Sequence, residues 1–106
     1  MNKDARNELK QHWEDFMWTI IHRNGWETLH LKQVHVEVWY CFGDKRRSDI
    51  DNRILKMIYD GLVRAGFLED DNRFVIPSTD YRSVYQKGVW GMVLRFYPLP
   101  DGTILP

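Results

Sequence analysis

The chain has 106 residues, room for one domain and little more. Apolar residues make up 43% of it, enough for a core, and 15 basic side chains balance 15 acidic ones, which excludes a protein coated in positive charge but not a local basic patch. The single cysteine, Cys41, excludes an internal disulfide framework and a cysteine-rich zinc site.

In chain order, Asn2 to about Ile21 reads as an amphipathic helix, with Leu9, Trp13, Phe16, Met17 and Ile20 at helical spacing. Gly25 in "HRNGW" is its natural C-terminal cap. Leu31 to Phe42 reads as a strand, because Val34, Val36, Val38, Tyr40 and Phe42 alternate with Gln33, His35, Glu37, Trp39 and Cys41; one face is expected to be buried. The loop "GDKRR" follows and carries the densest basic run in the chain. Ser48 or Asp49 can cap a second helix, about Asp51 to Ala65, whose apolar face is Ile54, Leu55, Ile58, Leu62 and Ala65, with Gly66 as its stop. Gly61 inside that helix costs ~1 kcal/mol against alanine and is expected to allow close packing on the sheet.

"RFVIPSTDYRSVY" is extended, with Pro77 pointing to an edge or a bulge. "QKG" turns the chain and "VWGMVLRFYP" returns as a strand, so the two are expected to pair as an antiparallel hairpin. Residues 98–106 read as a tail. The expected fold is therefore a single small α/β (α+β) domain over 1–106, a mixed sheet of three to four strands with two main helices packed on it, and a dimer would help to bury the remainder. The five tryptophans are expected to fill core or an interface rather than stack on bases. The polar start is unlike a signal peptide and no run approaches the roughly 18 apolar residues of a membrane span, so a soluble, cytoplasmic protein is expected, with no membrane partner.

The chemistry-bearing stretch is "KRRSDIDNRILKMIYDGLVRAGFLEDDNRF", Lys45 to Phe74. Asp49 and Asp51 stand near the start of its helix, and Asp70 and Asp71 lie on the segment that doubles back after it. Either pair alone reads as a helix cap or a turn. Together they are carboxylates that repel one another unless a cation neutralises them. Magnesium, a hard ion that prefers oxygen ligands and phosphate partners, suits such a group. Asn52, Lys56 and Asp60 form a polar stripe on the helix, and Lys56 can neutralise the charge that grows on a phosphorus under attack. Lys45, Arg46, Arg47 and Arg53 are the candidates to hold adjacent phosphates. This constellation suits metal-assisted cleavage or transfer at a phosphodiester. An EF-hand fails, since the sixth position from Asp49 is Ile54 and the twelfth is Asp60. His12, His22, His30 and His35 show no close-spaced ligand pair, and Cys41 sits in a strand pattern without an evident base.

"RRSDIDNRILKMIYDGLVRAGFLEDDNRFV" resembles the signature of the RusA family of Holliday junction resolvases of bacteria and their phages. That signature has a D-x-D-N opening, a lysine, an aspartate–glycine step, then "AG" and a closing aspartate pair. The resemblance implies a small α/β homodimer that uses magnesium, or manganese, to cut four-way DNA junctions by paired symmetric nicks. It implies metal ligation by Asp49, Asp51, Asp70 and Asp71, and catalysis by Asp49, Asp51, Asp71 and Lys56. Asn52, Asp60, Gly61 and Leu62 match positions of structural role. Lys56 follows the asparagine one position later than is usual, with Leu55 in the usual place, and the chain opens at a helix rather than on a proline-rich strand. A nuclease for flaps, forks or duplex DNA would carry the same motif. The alternative from another class is a branched-DNA-binding protein of the same fold with weak or lost activity.

Overall fold

The computed structural model describes residues 3–45 and 53–100. They form, in order, α1 (Lys3–Arg23), β1 (Val34–Phe42), α2 (Arg53–Arg64), β2 (Ser78–Tyr85) and β3 (Gly91–Pro98). The α+β class, two helices and a small mixed sheet, is as the sequence predicts. Asp49 and Ser48, the expected caps of α2, lie outside the described residues.

The described residues divide into two compact units. The first holds both helices, with the chain up to Lys32 and the segment after α2 as far as Asp71. Each helix ends as its glycine dictates. After α1, Gly25 takes φ +71°; its N–H reaches the His22 carbonyl at 3.2 Å and the Trp26 N–H the Ile21 carbonyl at 3.0 Å. After α2, Gly66 takes φ +88°; its N–H reaches Val63 at 3.1 Å and the Phe67 N–H reaches Leu62 at 3.0 Å. Both are Schellman closures, which satisfy the last helical carbonyls and need a left-handed residue.

Leu55, Ile58, Leu62 and Ala65 are buried, as the helical spacing predicts. Gly61 allows a close approach to α1: a Cβ there would lie 2.9 Å from Met17 Cβ and 3.2 Å from Glu14 Cα. The Arg64 guanidinium donates to Glu14 Oε2 at 2.7 Å across the same helix pair.

The second unit is the sheet, in the order β2-β1-β3. Val34, Val36, Val38 and Tyr40 are buried while the residues between them are not, which is the alternation expected of β1. The expected β2–β3 hairpin does not form. β2 pairs parallel to β1, with His35 opposite Ser78, and β3 pairs antiparallel to β1, with Val34 opposite Pro98. The physical reason lies in the strands themselves. β1 carries the apolar alternation and gains most from a partner on each side. β2, "STDYRSVY", is polar and follows Pro77, which marks an edge. The link from β2 to β3 must therefore step over β1, a span of about 10 Å or two inter-strand spacings. It is tied to the end of β1 as it crosses: the Gln86 N–H donates to Phe42 at 3.1 Å and the Gly88 N–H to Gly43 at 2.9 Å.

The core is mainly aliphatic, and the tryptophans do not fill it: Trp18, Trp26 and Trp90 are exposed and Trp13 and Trp39 only part-buried. Phe16, expected on the inner face of α1, is exposed and stacks on His12. No helix among the described residues is long and apolar enough to cross a membrane.

Candidate functional site

The site begins with the return of the chain after α2. Beyond the Gly66 closure, residues 66–69 run beside residues 30–31. The His30 N–H reaches Gly66 at 3.0 Å, Leu31 reaches Phe67 at 2.9 Å and Glu69 reaches Leu31 at 3.0 Å. Phe67 and Leu68 are buried along this run and anchor it. Asp70 and Asp71 follow at its exposed end. The Asp70 side chain folds onto the next residue's backbone, its Oδ1 accepting the Asp71 N–H at 2.7 Å. The Asp71 side chain faces α2.

There it meets Lys56. The ammonium donates to Asp71 Oδ2 at 2.5 Å and lies 3.1 Å from Asp60 Oδ1, one helical turn along. The sequence stripe of Lys56 and Asp60 is thus real, and Asp71, fifteen positions on, completes it. The Asp71 side chain is only 18% exposed, whereas Lys56 is 62% exposed. The hydrogen bond from Lys56 holds the Asp71 carboxyl below its ordinary pKa. The two carboxylates, Asp71 foremost, raise Lys56 above the ordinary lysine value. The Lys56 ammonium thus stands between the Asp71 and Asp60 side chains.

Arg53 opens α2, and with Lys10 of α1 and Lys56, Met57 and Asp60 of α2 it lines an open groove of about 490 Å³. Arg53 and Lys56 thus share one surface. Lys10 joins them without any motif signal; it is brought there by the crossing of the helices alone, and it lies 3.8 Å from Glu14. Lys45 belongs to the sheet unit, where its Nζ lies 5.3 Å above the Tyr85 ring. Asp49, Asp51, Arg46 and Arg47 lie outside the described residues. The structure therefore brings together Lys56, Asp60 and Asp71, with Asp70 adjacent in the chain.

Among the described residues, no three histidine, cysteine, aspartate or glutamate side chains form a metal-binding group. The donors that are described still suit a hard divalent ion. Asp71 is ionised at neutral pH, offers oxygen alone, and has its backbone N–H held by the Asp70 carboxylate. Compared with models of protein families and with curated proteins, the chain matches none.

Proposed function

We propose that the protein is a metal-dependent endonuclease of the RusA type that cleaves four-way or related branched DNA, working as a homodimer with one site per subunit. The observation that carries this reading is the Lys56–Asp71 bond at 2.5 Å. It joins the lysine of the motif to its closing aspartate across fifteen residues, which a pair of unrelated surface turns has no reason to do.

In this reading Asp71 and Asp70, with Asp49 and Asp51, hold magnesium or manganese. An ion held there would supply polarisation of the phosphodiester and orientation of a water for attack. Asp71 enters the reaction ionised, as an ordinary aspartate does at neutral pH, and the Lys56 hydrogen bond favours that form further. Lys56, long and 62% exposed, can turn from Asp71 toward a phosphate oxygen and offset the charge that develops there. Arg53 and Lys10, on the same groove, hold a neighbouring phosphate; Lys45, Arg46 and Arg47 are the further phosphate contacts. Two symmetric nicks follow from two subunits, each with its own metal.

The test is cleavage of a labelled synthetic four-way junction beside a linear duplex, with and without magnesium. Paired nicks in the junction alone, only with metal, are expected. A second reading is favoured by the same ammonium, which already neutralises Asp71: a branched-DNA-binding protein of this fold that does not cut. Junction binding without cleavage in magnesium and in manganese would establish it in place of the first.

A further inference from the structure

The sheet unit carries a surface that the metal site does not use. On β1 the face of Val34, Val36 and Val38 continues into Tyr40 and Phe42, and the register places Tyr81 opposite Val38 and Tyr85 opposite Phe42 on that same face. Buried along β1, this face opens along β2, where Tyr81 is 51% and Tyr85 48% exposed. The rings form a continuous run. Tyr81 stacks on Tyr40 at 6.5 Å with 17° between planes, Tyr40 on Phe42 at 6.5 Å and 24°, and Phe42 meets the edge of Trp90 at 6.4 Å. Trp90 is 58% exposed, yet it is placed rather than loose. Its indole lies on Gly43, where a Cβ would come within 2.7 Å of Trp90 Cε2. At the rim, the Lys45 ammonium stands 5.3 Å over the Tyr85 ring.

We infer that Tyr81, Tyr85 and Trp90, with Lys45, form a stacking platform for unpaired nucleotides. The inference rests on the reading of the protein as a branched-DNA enzyme and names the part of such a substrate that this face takes. Tyr81 and Trp90 are held by the rings beside them, and Tyr85 by the Lys45 ammonium on one face; flat rings so placed offer bases a π-face at little entropic cost, whatever the base. A cation at the rim meets the phosphate that accompanies each base. A second copy of the chain is the other occupant to weigh, and the face suits it less. The difference is charge: the Lys45 ammonium stands over the Tyr85 ring, and subunit interfaces are depleted in lysine, whereas a phosphate backbone needs it. Flaps and forks carry unpaired bases, and a four-way junction exposes them only where pairs at the crossover open; a continuous duplex offers none.

The test is fluorescence anisotropy of a labelled oligothymidine without divalent metal, beside an abasic oligomer of the same length that keeps the phosphates. The expected result is tighter binding of the oligothymidine, weakened about 5- to 150-fold by Tyr85→Ala, the range of one lost stacking contact. Tyr85→Phe should keep the affinity and Gly43→Ala, which dislodges Trp90, should weaken it. Equal binding of the two oligomers, or an affinity that Tyr85→Ala leaves unchanged, overturns the platform. So does a monomer–dimer equilibrium, followed by sedimentation, that Tyr85→Ala shifts while oligomer binding stays the same. Because no metal is present and nothing is cut, the result is independent of the cleavage assay. A failed platform leaves the nuclease reading standing, and an intact platform on a protein that cuts nothing separates the two the other way.

Discussion

Lys56→Met removes the ammonium from the centre of the site and keeps most of the stem that lies along α2. Two ion pairs are lost. The pair with Asp60 is an exposed helical pair, and the pair with Asp71 is short and has a largely covered acid partner. Screening at the exposed lysine end limits their worth, so the variant should lose roughly 1–1.5 kcal/mol. In a domain of this size that is a fall in Tm of about 4–12 °C. The loss should depend on pH in a defined way. Asp71 has a folded pKa below the ordinary 3.8, so its contribution is present above that value and disappears as pH falls through the depressed one. Lys56 has a folded pKa above 10.5, so its contribution is present below that value and disappears as pH rises through the raised one. The gap between wild type and variant should therefore be flat from about pH 5 to about pH 9 and close in acid. Thermal melts followed by circular dichroism measure it. A gap that is the same at pH 7 and in strong acid would show that the stem, not the charge, was responsible, and the electrostatic account of the site would fail.

Other outcomes bear on the site and on the helix pair that carries it. Asp71→Asn should abolish junction cleavage and preserve or strengthen junction binding, since it removes a metal ligand and a negative charge; gel-shift and cleavage assays on one preparation decide, and a variant that cuts at the normal rate removes Asp71 from the mechanism. Gly61→Ala gains about 1 kcal/mol of helix propensity but drives a methyl against Met17 Cβ and the Glu14 backbone, an overpacking of about 1–3 kcal/mol, so urea denaturation should show a net loss. A more stable Gly61→Ala protein would mean that the helices separate freely at that point.

Much of the fold is legible because each element is governed by a local rule. The alternation Val34–Val36–Val38 fixes which face of β1 is buried, and Gly25 and Gly66 fix where both helices stop. The pairing of β2 was not legible. A two-residue-period segment followed by a short link and another such segment is the local signature of a hairpin, and nothing local reveals that a third strand, more than thirty residues earlier, takes the place between them. That the tryptophans stay out of the core was not legible for a related reason. Their size favours burial on average, but Trp90 is set on Gly43 by the crossing link, which only the topology defines. In the site, Asp71 and Lys56 were legible from the motif. Lys10 was not, because the crossing at Gly61 alone brings α1 to that groove.

The position of the lysine can now be argued from packing. The resemblance leads one to look for it at the residue occupied by Leu55. That side chain is 3% exposed and belongs to the buried face that continues through Ile58 and Leu62. One residue along a helix is a rotation of about 100°, which carries the next side chain out of that face. Lys56 is there, exposed, with Asp60 on the following turn and Asp71 within hydrogen-bond reach. The apolar register of α2 thus admits the ammonium at 56 and forbids it at 55. Exchanging the two, Leu55→Lys with Lys56→Leu, would place an ammonium in the core and an aliphatic chain in the groove. Loss of a buried leucine alone costs about 2–5 kcal/mol, and the unpaired charge adds to it, against a total stability of about 5–15 kcal/mol. Urea denaturation should find the exchanged protein largely unfolded at neutral pH. A folded, cleaving exchange variant would show that α2 can turn about its axis to restore the site, and that the placement of Lys56 is not set by its packing.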